Sequence, residues 1–205
     1  MSRHRYIETE HNSKLEQFHN ELGNDVKFFE SDIMENSEYK SWIELYPNYS
    51  NEIFETLISY GAYEYITVDD ILYFVNEHKI DLNEDRPYNS DNLSTTPLGH
   101  ACEFRKKELI KCLLDASSCL YGYKKINGNL RDNSGCLPLE LLLWGHGSYN
   151  TINKSNSLII TKIIDLMKPY GLEMKIKKYI YDYVFNDKNL DKRSLKLSEE
   201  IDLYN

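Results

Sequence analysis

Apolar residues along this chain recur at helical spacing in short blocks, each closed by a break rich in Gly, Pro, Asn or Asp. Leu15, Phe18 and Leu22 predict a short amphipathic helix that stops at Gly23-Asn24. From Trp42 the pattern strengthens: Ile53, Phe54, Leu57 and Ile58 predict a helix over 51–60, with Gly61 placed where a left-handed C-terminal cap needs a residue without a Cβ. Ile71, Leu72, Phe74 and Val75 predict another over 70–78. The polar stretch 81–94 reads as a loop, because periodic segments resume at once. Pro97 then opens a helix of about two turns, a partner follows over 107–116, and a polar turn at 132–135 precedes Pro138, which opens the next pair. A polar surface insertion spans 145–157, an apolar helix over 158–167 ends before Pro169 and Gly171, and a last helix is predicted over 173–185. The remainder, 186–205, reads as a charged and poorly ordered tail.

The blocks repeat a format. Thr96-Pro97-Leu98 is followed, twelve positions after the threonine, by Glu108-Leu109-Ile110-Lys111-Cys112-Leu113-Leu114. Thr96 can accept a bond from a free N–H at the helix start, and Pro97 suits the first helical position, where its missing N–H costs nothing. Leu98, Ala101 and Cys102 make a thin stripe of mostly small residues, while Leu109, Ile110, Leu113 and Leu114 make a wide one. Glu108, Lys111 and Asp115 stay wet, so the pair predicts an antiparallel hairpin.

This stretch resembles an ankyrin repeat: a polar turn, a Thr-Pro-Leu-His helix start and a Glu-Ile-Val-Lys-Leu-Leu-Leu second helix. Asp91, Thr96 to Leu98, Ala101 and Glu108 to Leu114 match with the right spacing. Asp132, Gly135, Pro138 and Leu139 fit the next repeat, 41 positions on, against about 33 in the family. Its second helix, with Ile163, Ile164, Leu166 and Gly171, is displaced by the insertion. Upstream, Glu52-Ile53, Leu57-Ile58 and Gly61-Ala62 look like the second helix of one earlier repeat. Asp70-Ile71 to Val75, with the exit Lys79-Ile80-Asp81-Leu82-Asn83, looks like that of another.

The fold class the resemblance implies is all-α: an ankyrin-repeat helical hairpin stack, or α-solenoid, with degenerate terminal repeats and flanking helices. Residues 1–39 would be an N-terminal helical cap or extension and 40–172 the divergent repeats, at about 40–65, 66–83, 91–120 and 132–172. Residues 173–205 would be a C-terminal helix and charged tail. Four positions depart from the pattern: Gly99 stands where the family has His, Leu137 where it has the capping Thr, and Arg105-Lys106 where it has Gly-His. Each costs about 1 kcal/mol if the lost bond is not replaced.

Charge narrows the function. With 24 Lys plus Arg against 33 Asp plus Glu, the 205 residues carry a formal net charge of −9, which argues against nucleic acid or an anionic membrane as partner. No apolar run is long enough for a membrane span, and the first ten residues lack the apolar core of a signal peptide, so a soluble, cytoplasmic protein is expected. Cys102, Cys112, Cys119 and Cys136 read as reduced thiols, mostly packed as small hydrophobes. The 17 Tyr, with abundant Asn, Ile and Lys, reflect a bias common in AT-rich genomes and say nothing about chemistry.

Candidate chemistry is sparse. His100 and Cys102 with Cys112 and Cys119 form the one cluster to test for zinc, yet Cys102 and Cys112 fall where the repeat has buried Ala and Leu. A thiol nucleophile would need a base, and His100, two residues from Cys102 on the same helix, diverges from it by roughly 200°. Gly145-His146-Gly147 lacks the strand before and the Lys-Ser/Thr after it that a phosphate loop needs. Asp69-Asp70 is explained by a helix N-terminus, and Glu199-Glu200 are merely adjacent. Lys175, Lys177 and Lys178 with Tyr179, Tyr181 and Tyr183 read as the wet face of a capping helix.

The tyrosine- and asparagine-rich repeats with insertions look most like those of poxvirus ankyrin host-range and immune-evasion proteins, a style shared by effectors of intracellular bacteria. The resemblance implies a non-enzymatic interaction module that binds and sequesters or redirects a host protein, with no cofactor and no metal. By repeat position, the partner-facing residues would be Asn92, Leu93, Thr95, Glu103 and Phe104 in one unit and Asn133, Ser134, Cys136 and Trp144 in the next. A second expectation is an adaptor that recruits a ubiquitin ligase subunit through its terminal helices. Leu137 to Leu141 superficially resembles the start of an F-box, but reads better as a repeat's helix start, and no F-box is seen at the C-terminus. A third, a metal- or thiol-dependent enzyme, would require a centre that the sequence supports poorly.

Overall fold

Two layers of helices result from the alternation of polar turns and apolar stripes. The computed structural model describes residues 14, 16–25, 28–29, 39–60, 66–87, 94–145, 152, 156–185 and 190–204. After helical residues 16–22 come α1 (Tyr39–Leu45), α2 (Ser50–Tyr60), α3 (Val68–Glu77), α4 (Pro97–Glu103), α5 (Lys107–Ser118), α6 (Pro138–Trp144), α7 (Ser157–Met167), α8 (Lys178–Val184) and α9 (Lys192–Glu200). Two short strand pairs accompany them: β1 (Arg86–Pro87) antiparallel to β2 (Ser94–Thr95), and β3 (Lys175–Lys177) parallel to β4 (Asp202–Tyr204). Among the described residues no helix is long and apolar enough to cross a membrane.

Helices α2, α4, α6 and α8 pack one on the next in the first layer, and α3, α5, α7 and α9 do the same in the second. Consecutive pairs are therefore hairpins stacked side by side. Phe54 and Phe74, with ring centroids 5.1 Å apart, join α2 to α3, and the Tyr181 hydroxyl reaches the Ser198 carbonyl between α8 and α9. One continuous core runs through the described stack, from Phe18 and Phe29 to Leu197 and Ile201.

The helix starts follow local chemistry. Thr67 and Asp70 form a reciprocal capping box at α3. Thr96 accepts the Gly99 N–H at 3.0 Å at the start of α4, with Pro97 in the first position. Tyr39 donates from α1 to Asp70, tying α1 across to α3. Burial works to raise the Asp70 carboxyl, but bonds from Tyr39 and Thr67 and the charge of Lys40 outweigh it and hold its pKa low.

Three readings of the sequence need correction. Residues 51–60 and 70–78 are not the second helices of two repeats: α2 lies in the first layer against α4 and α3 in the second against α5, so α2 and α3 are the two helices of one hairpin. Ile53, Phe54, Leu57 and Ile58 are all fully buried, as fits a helix packed on several sides. The helix expected over 173–185 begins only at Lys178, because 175–177 pair with β4. The expected poorly ordered tail holds α9 and β4: the Asp191 side chain caps α9 by accepting the Ser194 N–H at 2.8 Å, and Leu197 and Ile201 are buried.

The predicted N-terminal helix packs on the stack through Phe18, whose ring lies 4.9 Å from Tyr49 and 5.2 Å from Phe29. Leu15 and Gly61 lie outside the described residues, as does most of the 145–157 insertion. No local pattern marks Arg86, whose buried guanidinium bonds Asn51 and Glu55 of α2 and also Glu84, fastening the β1–β2 arm to the first hairpin.

Candidate protein-binding surface

The turn at 132–135 is built around one buried carboxylate. Asp132 accepts the Ser134 and Cys136 N–H groups at 2.9 and 2.8 Å. Burial outweighs these bonds and pushes its pKa up. Gly135 has φ 73°, a left-handed conformation that suits glycine, and its carbonyl accepts from Lys177 Nζ at 2.6 Å and Arg131 Nη1 at 2.8 Å. The turn is thus clasped from both sides.

The departures from the repeat pattern are compensated locally. At Gly99 a Cβ would stand 2.2 Å from Thr95 Oγ1, so glycine leaves room for that hydroxyl. Arg105 sits at φ 55°, where an ordinary residue pays about 1–2 kcal/mol. Its guanidinium donates to the Leu142 and Leu143 carbonyls at 3.2 and 3.3 Å, capping the C-terminus of α6. Gly145 follows at φ 70°, and a Cβ there would meet Arg105 Nη2 at 2.7 Å. At α6 the Leu137 side chain cannot cap, and Glu140 takes the Leu137 N–H at 2.9 Å instead.

Glu140 does more than that. Fully buried, it also accepts the Lys177 N–H at 2.7 Å and the Tyr204 hydroxyl at 2.5 Å, with the Arg131 guanidinium and the Lys177 ammonium within 4 Å. Tyr204 is pushed up to about 12, by burial and by the Glu140 bond, against an opposing bond from Arg131. One side chain joins α6, β3 and β4.

Of the residues expected to face a partner, Asn133 and Ser134 are exposed at the clasped turn, and Cys136, Glu103, Phe104 and Trp144 are half-buried. Thr95 is a correction: it is buried, so it has no surface to offer. Asn92 and Leu93 lie outside the described residues. Phe104 packs on His100 at 4.7 Å. Trp144 stacks on Tyr183 at 5.6 Å and meets Tyr179 edge-on at 6.1 Å. Tyr179 and Tyr183, read from sequence as a wet face, therefore belong with Trp144, and their i, i+4 spacing was the available sign.

Comparison with family models, curated proteins and solved structures gives no match.

Burial raises the Cys102 thiol strongly, the Cys112 thiol to about 12 and the Cys136 thiol to about 11, which leaves none of the three as a thiolate at neutral pH. Cys102 Sγ lies 3.8 Å from Met167 Sδ in the core. Among the described residues no three His, Cys, Asp or Glu side chains converge to hold a metal.

Proposed function

We propose that this chain is a protein-binding stack of divergent ankyrin-type hairpins that acts without catalysis, sequestering or redirecting a host protein in the host cytoplasm, in a role such as immune evasion or host range. One observation carries the repeat reading. Asn83 donates to the Lys125 carbonyl and accepts the Asn127 N–H, and Asn129 donates to the Gly171 carbonyl and accepts the Glu173 N–H, with separations of 42 and 44 residues in both cases. The same side chain staples the exits of successive hairpins at the same spacing, as expected of a stack in which each unit contacts its neighbours.

Such an array is rigid before it meets a partner, so binding orders few groups and little affinity is lost to entropy. Recognition falls on the clasped turn with Asn133, Ser134 and Cys136 and on the neighbouring Glu103 and Phe104. The turn is preorganised by Asp132, Lys177 and Arg131, and Phe104 offers an aromatic anchor. The experiment is capture of host-lysate proteins on tagged chain beside a Phe104→Ala/Asn133→Ala variant of unchanged circular dichroism. A specific host protein lost by the variant supports the reading; enrichment of nothing over the control contradicts it.

The adaptor alternative needs a different test from simple truncation. Residues 173–204 supply β3, α8, α9 and β4, and removing them would strip Glu140 of two partners and open the core. Ligase recruitment is therefore to be tested with substitutions at exposed positions of α9, such as Leu195, rather than by deletion.

A further inference from the structure

Helix α8 turns Ile180 and Val184 into the core and leaves Lys178, Tyr179, Asp182 and Tyr183 exposed. These four form two parallel rows at i, i+4 spacing, one charged and one aromatic. Tyr179 is 54% and Tyr183 48% exposed, and Trp144 widens the aromatic row across to α6. Lys178 Nζ bonds both oxygens of Asp182 at 3.0 and 2.9 Å, with both side chains more than half exposed.

We infer that this face is the two-fold interface of a homodimer. A two-fold axis in the plane of contact and perpendicular to α8 lays each row on its own reverse. Tyr179 then meets Tyr183 of the second copy and the reciprocal pair forms with it. Lys178 meets Asp182 of the second copy, again twice. The two exposed intramolecular pairs, one in each copy, exchange for two intermolecular ones at little cost, since neither ion is buried beforehand. Charge also selects the occupant. A chain of net charge −9 repels its own kind over most of its surface, but the exposed residues of this face carry one cation, one anion and neutral rings. It matches a copy of itself better than a partner of one sign. The turn at 132–136 adjoins this face through Lys177, whose Nζ bonds the Gly135 carbonyl and lies 5.9 Å from the Tyr179 ring centre, so a dimer would present two recognition turns and gain from avidity.

The test is sedimentation equilibrium of the full chain over a wide concentration range at low salt. The wild type is expected to show a monomer–dimer equilibrium, and Lys178→Asp and Asp182→Lys alone to weaken it by about tenfold or more, through like-charge contacts. The double variant Lys178→Asp/Asp182→Lys should restore it. Mixing the two single variants should give a heterodimer, since one copy then presents two carboxylates to two lysines of the other, a result that no folding defect can produce. The inference is overturned if the wild type stays monomeric throughout, including the case where the face takes up a different macromolecule. It is equally overturned if dimers form but the single variants associate as well as wild type, or do not pair on mixing.

Discussion

Asn83 and Asn129 perform the same act 46 positions apart, each side chain accepting a backbone N–H at 2.7–2.8 Å and donating to a backbone carbonyl two residues before it at 2.8 Å. An asparagine is needed for this, because only an amide side chain of that length offers a donor and an acceptor side by side. The two staples join the exits of α3 and α5, and of α5 and α7.

Replacing either asparagine by alanine removes two hydrogen bonds and should cost about 1–2 kcal/mol in urea denaturation. Asn127 links the two sites, donating its N–H to Asn83 and accepting the Asn129 N–H at 3.0 Å, so the loss in Asn83→Ala/Asn129→Ala should depart from the sum by about 0.5 kcal/mol or more. A loss equal to the sum in the double variant would show that the staples are independent.

Gly99→Ala places a methyl 2.2 Å from Thr95 Oγ1 and should destabilise by about 1–3 kcal/mol. In a Thr95→Ala background the obstructing oxygen is gone, so the same glycine substitution should cost much less. Equal costs in both backgrounds, measured by thermal unfolding, would remove the close approach as the reason for glycine here.

Glu140→Gln substitutes a donor for one acceptor oxygen among Leu137, Lys177 and Tyr204 and should cost about 1–3 kcal/mol for each donor left unmatched. The effect should be local first: amide exchange speeds up at 175–177 and 202–204 before it does in α4. Tyr204→Phe should show the same pattern, more weakly.

The Asp191 carboxyl is held at about 2, below its ordinary 3.8, by the Ser194 N–H and by the Ser157 and Ser194 hydroxyls. The lowered value means that the native state favours the ionised form, so its contribution is present above about pH 4 and is lost as pH falls towards 2. The stability gap between wild type and Asp191→Ala should therefore narrow over that window. A gap that is constant from pH 6 to about pH 2 would contradict the cap.

The helical layers were legible where a start signal and a stripe coincided. Thr96-Pro97 and Pro138 fixed α4 and α6, and Leu109 to Leu114 fixed α5. The layer of α2 was not legible, since four consecutive-face apolar residues look alike in either layer and only the neighbour α4 decides. The tail was misread because its charge masks a thin stripe of Leu197 and Ile201 beneath an Asp191 cap. At the candidate surface, Asn133 and Ser134 followed from the turn, whereas the burial of Thr95, which pairs with Arg86 and lies against Gly99, is not shown by local pattern. Glu140 appeared only as part of a helix start, and its second and third partners come from residues 37 and 64 positions away.

The most direct test of the stacked-hairpin account is residue-resolved hydrogen exchange of Asn129→Ala against wild type. In a stack, loosening the staple between the exits of α5 and α7 weakens one junction, so exchange should accelerate through α7, α9 and β4 while α2 and α3 keep their protection. Uniform acceleration from α2 to β4 would mean a single cooperative core without repeat units, and would contradict the account.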